Sequence, residues 1–297
     1  MSDHKFPAAG PRIAVAGATG RVGTALMRAL ADDPVNIVAL SRTASLERLP
    51  TGTQVARIEF DERATLSKAL KGADRLFLAH GTSDRQVENE IALIDAAVAA
   101  GVSHIVKLSA MGPPTRLHPF DWHMKIEAHL ANCDIAYTVL RPSSFMDVLA
   151  RAKGPVASGT WGGTAEDGRV NLIDTRDIAD VARAALLDES LLNSQRAYHL
   201  TGPGTVSMPE IAAELSSLLG RSVAYARRSR TEHRELLVAS GVGEMAADLL
   251  LGLDRIFQES ALAETTTTVT ELTGKTPHSV KHWLLDNLDD FRGSATD

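Results

Sequence analysis

The chain has 297 residues, 44% of them hydrophobic, and a net charge of -6 spread over interspersed acidic and basic side chains. That length allows one large α/β domain or a main domain with a small cap, and it can bury a substantial core. The charge pattern argues against a nucleic-acid surface, which needs clustered Lys and Arg to displace counterions, and the single cysteine, Cys133, excludes an intrachain disulfide or a thiolate zinc cluster.

Residues 1–10, with Pro7 and Gly10, read as a loose tail. No apolar stretch of signal-peptide length opens the chain, and no run approaches the roughly 18 apolar residues of a membrane span, so a soluble, cytoplasmic protein is expected. The first strand, Ile13–Ala16, runs straight into Gly17-Ala-Thr19-Gly20-Arg21-Val22-Gly23 and a helix over 20–31. Three spaced glycines alone are a weak signal. Here they follow a strand and open a helix, where a dinucleotide pyrophosphate needs backbone N–H groups. Gly17 allows the tight turn, Gly20 removes the side chain that would hold the backbone off the pyrophosphate, and Gly23 lets the helix pack against the sheet. Arg21 adds charge at a phosphate or points to solvent.

The second strand, Asn36–Leu40, ends in Ser41-Arg42-Thr43, with no Asp or Glu between Val35 and Leu46. A carboxylate about 20 residues past the glycines would hold a ribose diol. Arg42 instead suits a 2'-phosphate, with Ser41 adding a hydrogen bond, so NADP(H) is expected over NAD(H). The third strand, over 54–60, leads to Asp61, placed to face the adenine, and a helix over 62–71. The fourth, over 75–79, ends at Ala79-His80-Gly81, expected to line the ribose and pyrophosphate through its backbone, the His80 side chain being a surface one. A helix over 83–100, a strand over 104–109, a helix over 120–131 and a strand over 136–141 follow. Strands alternating with helices, most strands being continuous apolar runs, predict a doubly wound parallel α/β sheet covered on both faces.

Beyond the sixth strand, residues 146–168 read as a loop over the active-site edge, its glycine-rich part being Ser158–Gly168. A helix starting at Arg176 and a strand over 197–200 complete the first domain, 11–200. Residues 201–297 form a smaller, mostly helical substrate cap. Ser207-Met-Pro-Glu210 is a capping box for a helix to Leu219. Arg227, Arg228 and Arg230, with His233 and Arg234, read as a solvated helix start answered by Glu232 and Glu235, the alternative being an anion site. Thr265–Thr268 is a loop, and Thr276-Pro277 starts a final helix carrying Trp283 and Leu284.

Short-chain reductases typically use a Tyr with a Lys four residues on, both on one helical face. Tyr137, Tyr198 and Tyr225 all lack that Lys. The helix after Lys107-Leu108-Ser109 instead carries His123-Met-Lys-Ile-Glu127, followed by Ile135-Ala-Tyr-Thr-Val-Leu-Arg141-Pro142 and Asp174-Thr-Arg-Asp177-Ile-Ala-Asp-Val-Ala. With the Gly-Ala-Thr-Gly-Arg-Val-Gly turn, this pattern resembles the NmrA-like atypical branch of the short-chain dehydrogenase/reductases over residues 12–290. That branch includes NADP(H)-sensing regulators and reductases of quinones, azo dyes and triphenylmethane dyes. The resemblance implies that Arg141, Pro142, Ser143, Ser144 and Phe145 border the nicotinamide and substrate mouth, with Lys107, Leu108 and Ser109 under the cofactor. All of these follow strand C-termini, where ligands of such sheets lie.

His123, Ser109 and Glu127 are the catalytic candidates. Their plainer readings are an exposed i,i+4 pair for His123 and Glu127 and a turn-capping hydroxyl for Ser109. His118 and His129 are read as surface residues and Cys133 as a bystander, and no metal is expected. Phe145, Met146, Trp161 and Met208 form adaptable apolar walls for a flat ligand or belong to the core. A site without the phenol suits hydride transfer to quinones, azo bonds, iminium ions or enones, whose developing charge is delocalised or already neutralised. The expected protein is thus an NADPH-dependent reductase of a conjugated, aromatic small molecule, monomeric or homodimeric, with no nucleic-acid or membrane partner. A non-catalytic NADP(H) sensor and a tailoring enzyme of an aromatic natural product are its rivals.

Overall fold

The computed structural model describes residues 10–42, 49–112 and 120–292. The expected tail up to residue 9, Thr43 and His118 lie outside them. In chain order the elements of the first half are β1 (Arg12–Ala16), α1 (Arg21–Ala29), β2 (Asn36–Ser41), β3 (Gln54–Arg57), α2 (Arg63–Leu70), β4 (Arg75–Leu78), α3 (Gln86–Ala99), β5 (His104–Leu108), α4 (Phe120–Ala131) and β6 (Ala136–Pro142). Then come β7 (Ser144–Phe145), a 3-10 turn (Met146–Ala152), α5 (Lys153–Ala157), β8 (Gly162–Gly163), β9 (Val170–Ile173), α6 (Thr175–Leu187) and β10 (Gln195–Leu200). The chain finishes with β11 (Thr205–Val206), α7 (Met208–Leu219), β12 (Ala226–Arg227), α8 (Arg230–Ala239), α9 (Glu244–Gln258), α10 (Thr268–Thr273), α11 (Val280–Asp286) and α12 (Leu288–Arg292).

Two compact units emerge. The first lies within Met1–Ala110, Asp121–Arg141 and Ile178–Tyr198, and the second within Met111–Phe120, Pro142–Asp177 and His199–Asp297. The first holds the expected Rossmann-type sheet of seven strands in the order β10-β6-β5-β4-β1-β2-β3. Pairs β1–β2, β1–β4, β2–β3, β4–β5 and β5–β6 are parallel, in registers such as Val15 opposite Ala39 and Phe77. The strand order reverses at β1 and β4, which makes the ends of those strands the ligand crevice of such sheets. Ile13, Leu76, Phe77, Leu78, Ile105 and Val106 are fully buried, as continuous apolar strands covered on both faces must be. A core of strand residues with Leu66, Leu93, Ile94, Ile126 and Leu130 from the helices holds the unit together. β3 stops at Arg57, three residues short of expectation, and beyond it the Glu59 N–H donates to the Thr65 hydroxyl of α2 rather than to a neighbouring strand.

The second unit has its own core, built on Met146, Leu149, Leu172, Leu215, Phe257, Leu284 and Phe291. Residues 142–177, expected in the first domain, cluster with it, and the expected loop over 146–168 is regular in its first half. Leu149, Ala152 and Val156 from the 3-10 turn and α5 all face the core, so burial organises residues 146–157, whereas the glycine-rich part, 158–168, is irregular apart from β8. β9 joins β7 in parallel and β11 antiparallel. The capping box of α7 is formed in both directions, Ser207 accepting from the Glu210 N–H and Glu210 from the Ser207 N–H. The final helices begin later than the sequence suggests: Ser279, not Thr276, caps α11, because its hydroxyl meets the His282 N–H. Thr268, expected in a loop, opens α10. Among the described residues no helix is long and apolar enough to cross a membrane.

Candidate active site

The glycine turn is stereochemically forced. Gly17 has φ +75, and a Cβ there would stand 2.7 Å from the Ala79 carbonyl oxygen. A Cβ on Gly23 would lie 2.1 Å from the Gly17 oxygen and 2.8 Å from Ala18 Cα, so the turn itself requires Gly23. Gly20 caps α1 in an extended conformation and brings no side-chain acceptor, which leaves the first-turn N–H groups to an anion. Gly20 and Arg21 are exposed, Thr19 is half-buried, and Val22 is buried and can present only its backbone. Ser41 ends β2 half-buried and Arg42 stands exposed beside it. These residues fit a phosphorylated dinucleotide: an uncapped helix N-terminus, a cradle that a Cβ would fill, and a guanidinium at the end of β2.

The neighbouring strand ends are more occupied than expected. Asp61 forms an exposed ion pair with Arg85 at 2.6 Å, and that bond holds its carboxyl below the usual range. His80, expected to be a surface side chain, is half-buried edge-on against Phe60 at 5.5 Å, and its Nε2 lies 3.0 Å from Asn89 Nδ2. The amide donates there, so Nδ1 carries the proton toward the Gly81 carbonyl oxygen at 2.5 Å. Ala79 is half-buried and Gly81 exposed.

At β5 the side chains interlock. Lys107 is fully buried and pairs with Glu90 of α3 at 2.8 Å, while Gln86, one turn earlier, donates to the other Glu90 oxygen at 2.9 Å. Lys107 Nζ also donates to the carbonyl of half-buried Leu108 and lies 3.3 Å from His123 Nδ1. The ammonium can only donate, so His123 accepts at Nδ1 and carries its proton on Nε2. Burial, with the Lys107 charge adding to it, pushes the His123 pKa down to about 3 and keeps the ring neutral. Glu127 is held separately. Arg141 reaches it with Nη2 at 2.5 Å and Nε at 3.1 Å, and the Ser109 hydroxyl donates to its Oε1. His123 and Glu127 are therefore not a surface pair: each serves a different partner inside the protein.

Gln86, Asn89 and Glu90 were missed by sequence reasoning. The signal was present, since a lysine in a strand covered on both faces needs a buried carboxylate, and α3 buries Gln86, Asn89 and Glu90 beside Leu93, Ile94 and Ala97.

The remaining candidates lie in the second unit. Pro142 is buried, the Ser143 hydroxyl donates to the Asn171 carbonyl and its N–H to that of Leu200, and Ser144 and Phe145 form β7. Met146 is fully buried in the core. Trp161 and Met208 line a pocket of about 360 Å³ with Tyr225, His233, Leu236 and Phe257. In the first unit, His129, read as a surface residue, and Cys133, read as a bystander, come within 4.8 Å of Asp95 and of one another, but His129 Nε2 is bonded to Asp95 at 2.7 Å and burial raises the thiol pKa.

Comparison with known proteins bears on this arrangement. A sequence profile of the NmrA-like family matches residues 10–282. A (4-alkanoyl-5-oxo-2,5-dihydrofuran-3-yl)methyl phosphate reductase of Streptomyces griseus is 33% identical over 94% of this chain and 99% of its own. The NAD(P)H azoreductase of Xenophilus azovorans is 32% identical over 89% and 93%. The structure of the NADPH-dependent quinone oxidoreductase of Escherichia coli complexed with NADPH superposes with a TM-score of 0.85, at 25% identity, over 93% of this chain and 99% of its own.

Proposed function

The chain belongs to the NmrA-like family, and from that premise we propose that it is an NADPH-dependent reductase passing hydride to a conjugated, aromatic small molecule. Two of its relatives are reductases by name, one of them an azoreductase that uses NAD(P)H. Bound NADPH supplies the hydride. The chain supplies the rest. The α1 N-terminus and the Gly17–Gly23 turn hold the pyrophosphate, Arg42 and Ser41 the 2'-phosphate, and the backbone over 79–81 the adjoining ribose.

The observation that carries the choice of acceptor is the state of the groups around β5 and β6. His123 is neutral, Ser109 has committed its proton to a hydrogen bond with Glu127, and Arg141 is neutralised by the same carboxylate. α4, where a short-chain reductase carries its phenol, contains no tyrosine. Such a set lacks a strong acid but offers a fixed Nε2–H dipole. Acceptors whose charge is delocalised over rings need orientation and exclusion of water more than a proton delivered in the transition state. Lys107 positions His123, and Arg141 positions Glu127.

The test is NADPH consumption by the purified protein against a panel of quinones and azo dyes. Acceptor-dependent oxidation is expected, with NADH a poorer donor. No turnover with any acceptor, alongside tight and unequal binding of NADP+ and NADPH, would replace this reading with that of a redox sensor.

A further inference from the structure

The basic run at 227–234 is not one solvated patch. Arg227 pairs with Asp167, and Arg234 with Asp248 and Glu244. Arg228 is different: it turns into the pocket of about 360 Å³ in the second unit. Its guanidinium donates to the carbonyls of Gly162, at 3.2 Å, and Thr160. No carboxylate among the described residues forms an ion pair with it, although Asp254 lines the same pocket. Nearby, Tyr225 packs edge-on against Trp161 at 5.2 Å, and its oxygen accepts a long bond of 3.4 Å from the Ala165 N–H. Burial and the charge of Asp254 raise the phenol's pKa, so Tyr225 stays a neutral donor. Asp254 is itself committed to the Thr164 N–H and hydroxyl, at 2.8 and 3.1 Å. The His233 ring stands 3.7 Å from Asp254 and 3.5 Å from Arg228, too far for a strong bond to either.

Part of the lining is apolar and open to solvent. α8 contributes Leu236 and Leu237 to the lining, yet no residue of that helix is buried and Leu236 remains 46% exposed. α8 packs on α9 with Leu237 half-buried, and the exposure of Leu236 leaves part of its apolar face open at the pocket. The pocket falls within the roughly 300–1,000 Å³ of small-molecule sites, and its lining combines the donors of Arg228 and Tyr225 with Trp161, Phe257 and leucines.

We propose that this pocket binds a ring-bearing small molecule whose oxygen acceptor takes hydrogen bonds from Arg228 and Tyr225, the rings packing under α8 against Trp161 and Leu236. The identification of that ligand as the reducible substrate rests on the proposed function; the binding does not. A carbonyl and an ionised oxygen present the same acceptor to these donors.

Calorimetry on the full chain without nucleotide, using acetonaphthone, naphthoate and naphthalene, tests it. Both oxygenated probes are expected to bind, and naphthalene about tenfold more weakly or worse. Tighter binding of naphthoate identifies an ionised oxygen as the preferred group, and tighter binding of acetonaphthone a carbonyl. Leu236→Trp fills the pocket from an exposed helix position that tolerates it, and should weaken both oxygenated probes by about tenfold or more. Arg228→Met should weaken the same two and leave naphthalene unchanged; if that variant does not fold, Leu236→Trp decides. Failure of both oxygenated probes to bind, or binding indifferent to Leu236→Trp, overturns the proposal. Probe binding without NADPH-dependent reduction of any quinone or azo acceptor leaves the pocket standing and removes the reductase reading, whereas quinone reduction untouched by Leu236→Trp leaves both standing and separates the pocket's ligand from the reducible substrate.

Discussion

Lys107 and Glu90 show how single residues divide between holding the fold and serving the site. Both are wholly buried, and each is the other's main compensation for lost hydration. Removing one leaves an uncompensated charge, which typically costs about 3–5 kcal/mol. Lys107→Met should therefore destabilise the protein by about that amount in urea unfolding, and it should raise the His123 pKa from about 3 by removing the adjacent positive charge; NMR titration of the ring would register an unmoved value as a failure of this account. Arg42 is the opposite case, exposed at the end of β2. A charge-assisted bond to a phosphate contributes about 1.5–3 kcal/mol, so Arg42→Asp should lower the ratio of kcat/KM for NADPH over NADH by about tenfold to a hundredfold with the melting temperature unchanged. A ratio that does not move would remove the guanidinium from the cofactor site.

At the scale of elements, the β1–α1 turn and the α7 cap are local devices of different severity. Gly23→Ala puts a methyl 2.1 Å from the Gly17 oxygen, a contact that only movement of the backbone can relieve. Nucleotide affinity is the expected casualty, by tenfold or more on the scale of about 1.4 kcal/mol per decade, and calorimetry with NADP+ measures it. Ser207→Ala removes one hydrogen bond of the α7 capping box and should cost about 1 kcal/mol of stability without touching nucleotide binding. Both devices are legible in the amino-acid sequence, because a strand, a turn and a helix start are written in neighbouring residues. The 146–168 segment is not. Its first half reads as part of a loop, but Leu149, Ala152 and Val156 find a core assembled from α7, α9, α11 and α12, more than fifty residues on.

For the molecule as a whole, buried histidines set a pH dependence. His104, bonded to Thr138 at 3.0 Å and 1% exposed, is held down to about 4 by burial, and His123 to about 3. Their folded pKa values lie below the ordinary 6.5, so the unfolded chain takes up protons that the folded one refuses. Stability from this source is complete above pH 6.5 and is lost as pH falls toward 4, at up to about 1.4 kcal/mol per pH unit for each ring. Unfolding free energies measured between pH 6.5 and 5, above the range where most carboxylates titrate, should show this slope, and His104→Asn should make it shallower. A flat profile in the wild type would mean the rings are not held neutral.

The amino-acid sequence alone determined the parallel sheet, the glycine turn, the guanidinium after β2 and the absence of a Tyr/Lys pair. Each depends on residue type and spacing within one strand, turn or helix, where steric and hydrogen-bonding rules act over a few residues. Tertiary structure alone decided that Glu127 answers Arg141 rather than His123, that Lys107 finds Glu90, and that Arg228 enters a pocket while Arg227 and Arg234 find carboxylates. A side chain's partner is chosen by which groups the folded backbone brings within reach and by the cost of leaving a buried charge alone, and spacing along the chain carries no record of either.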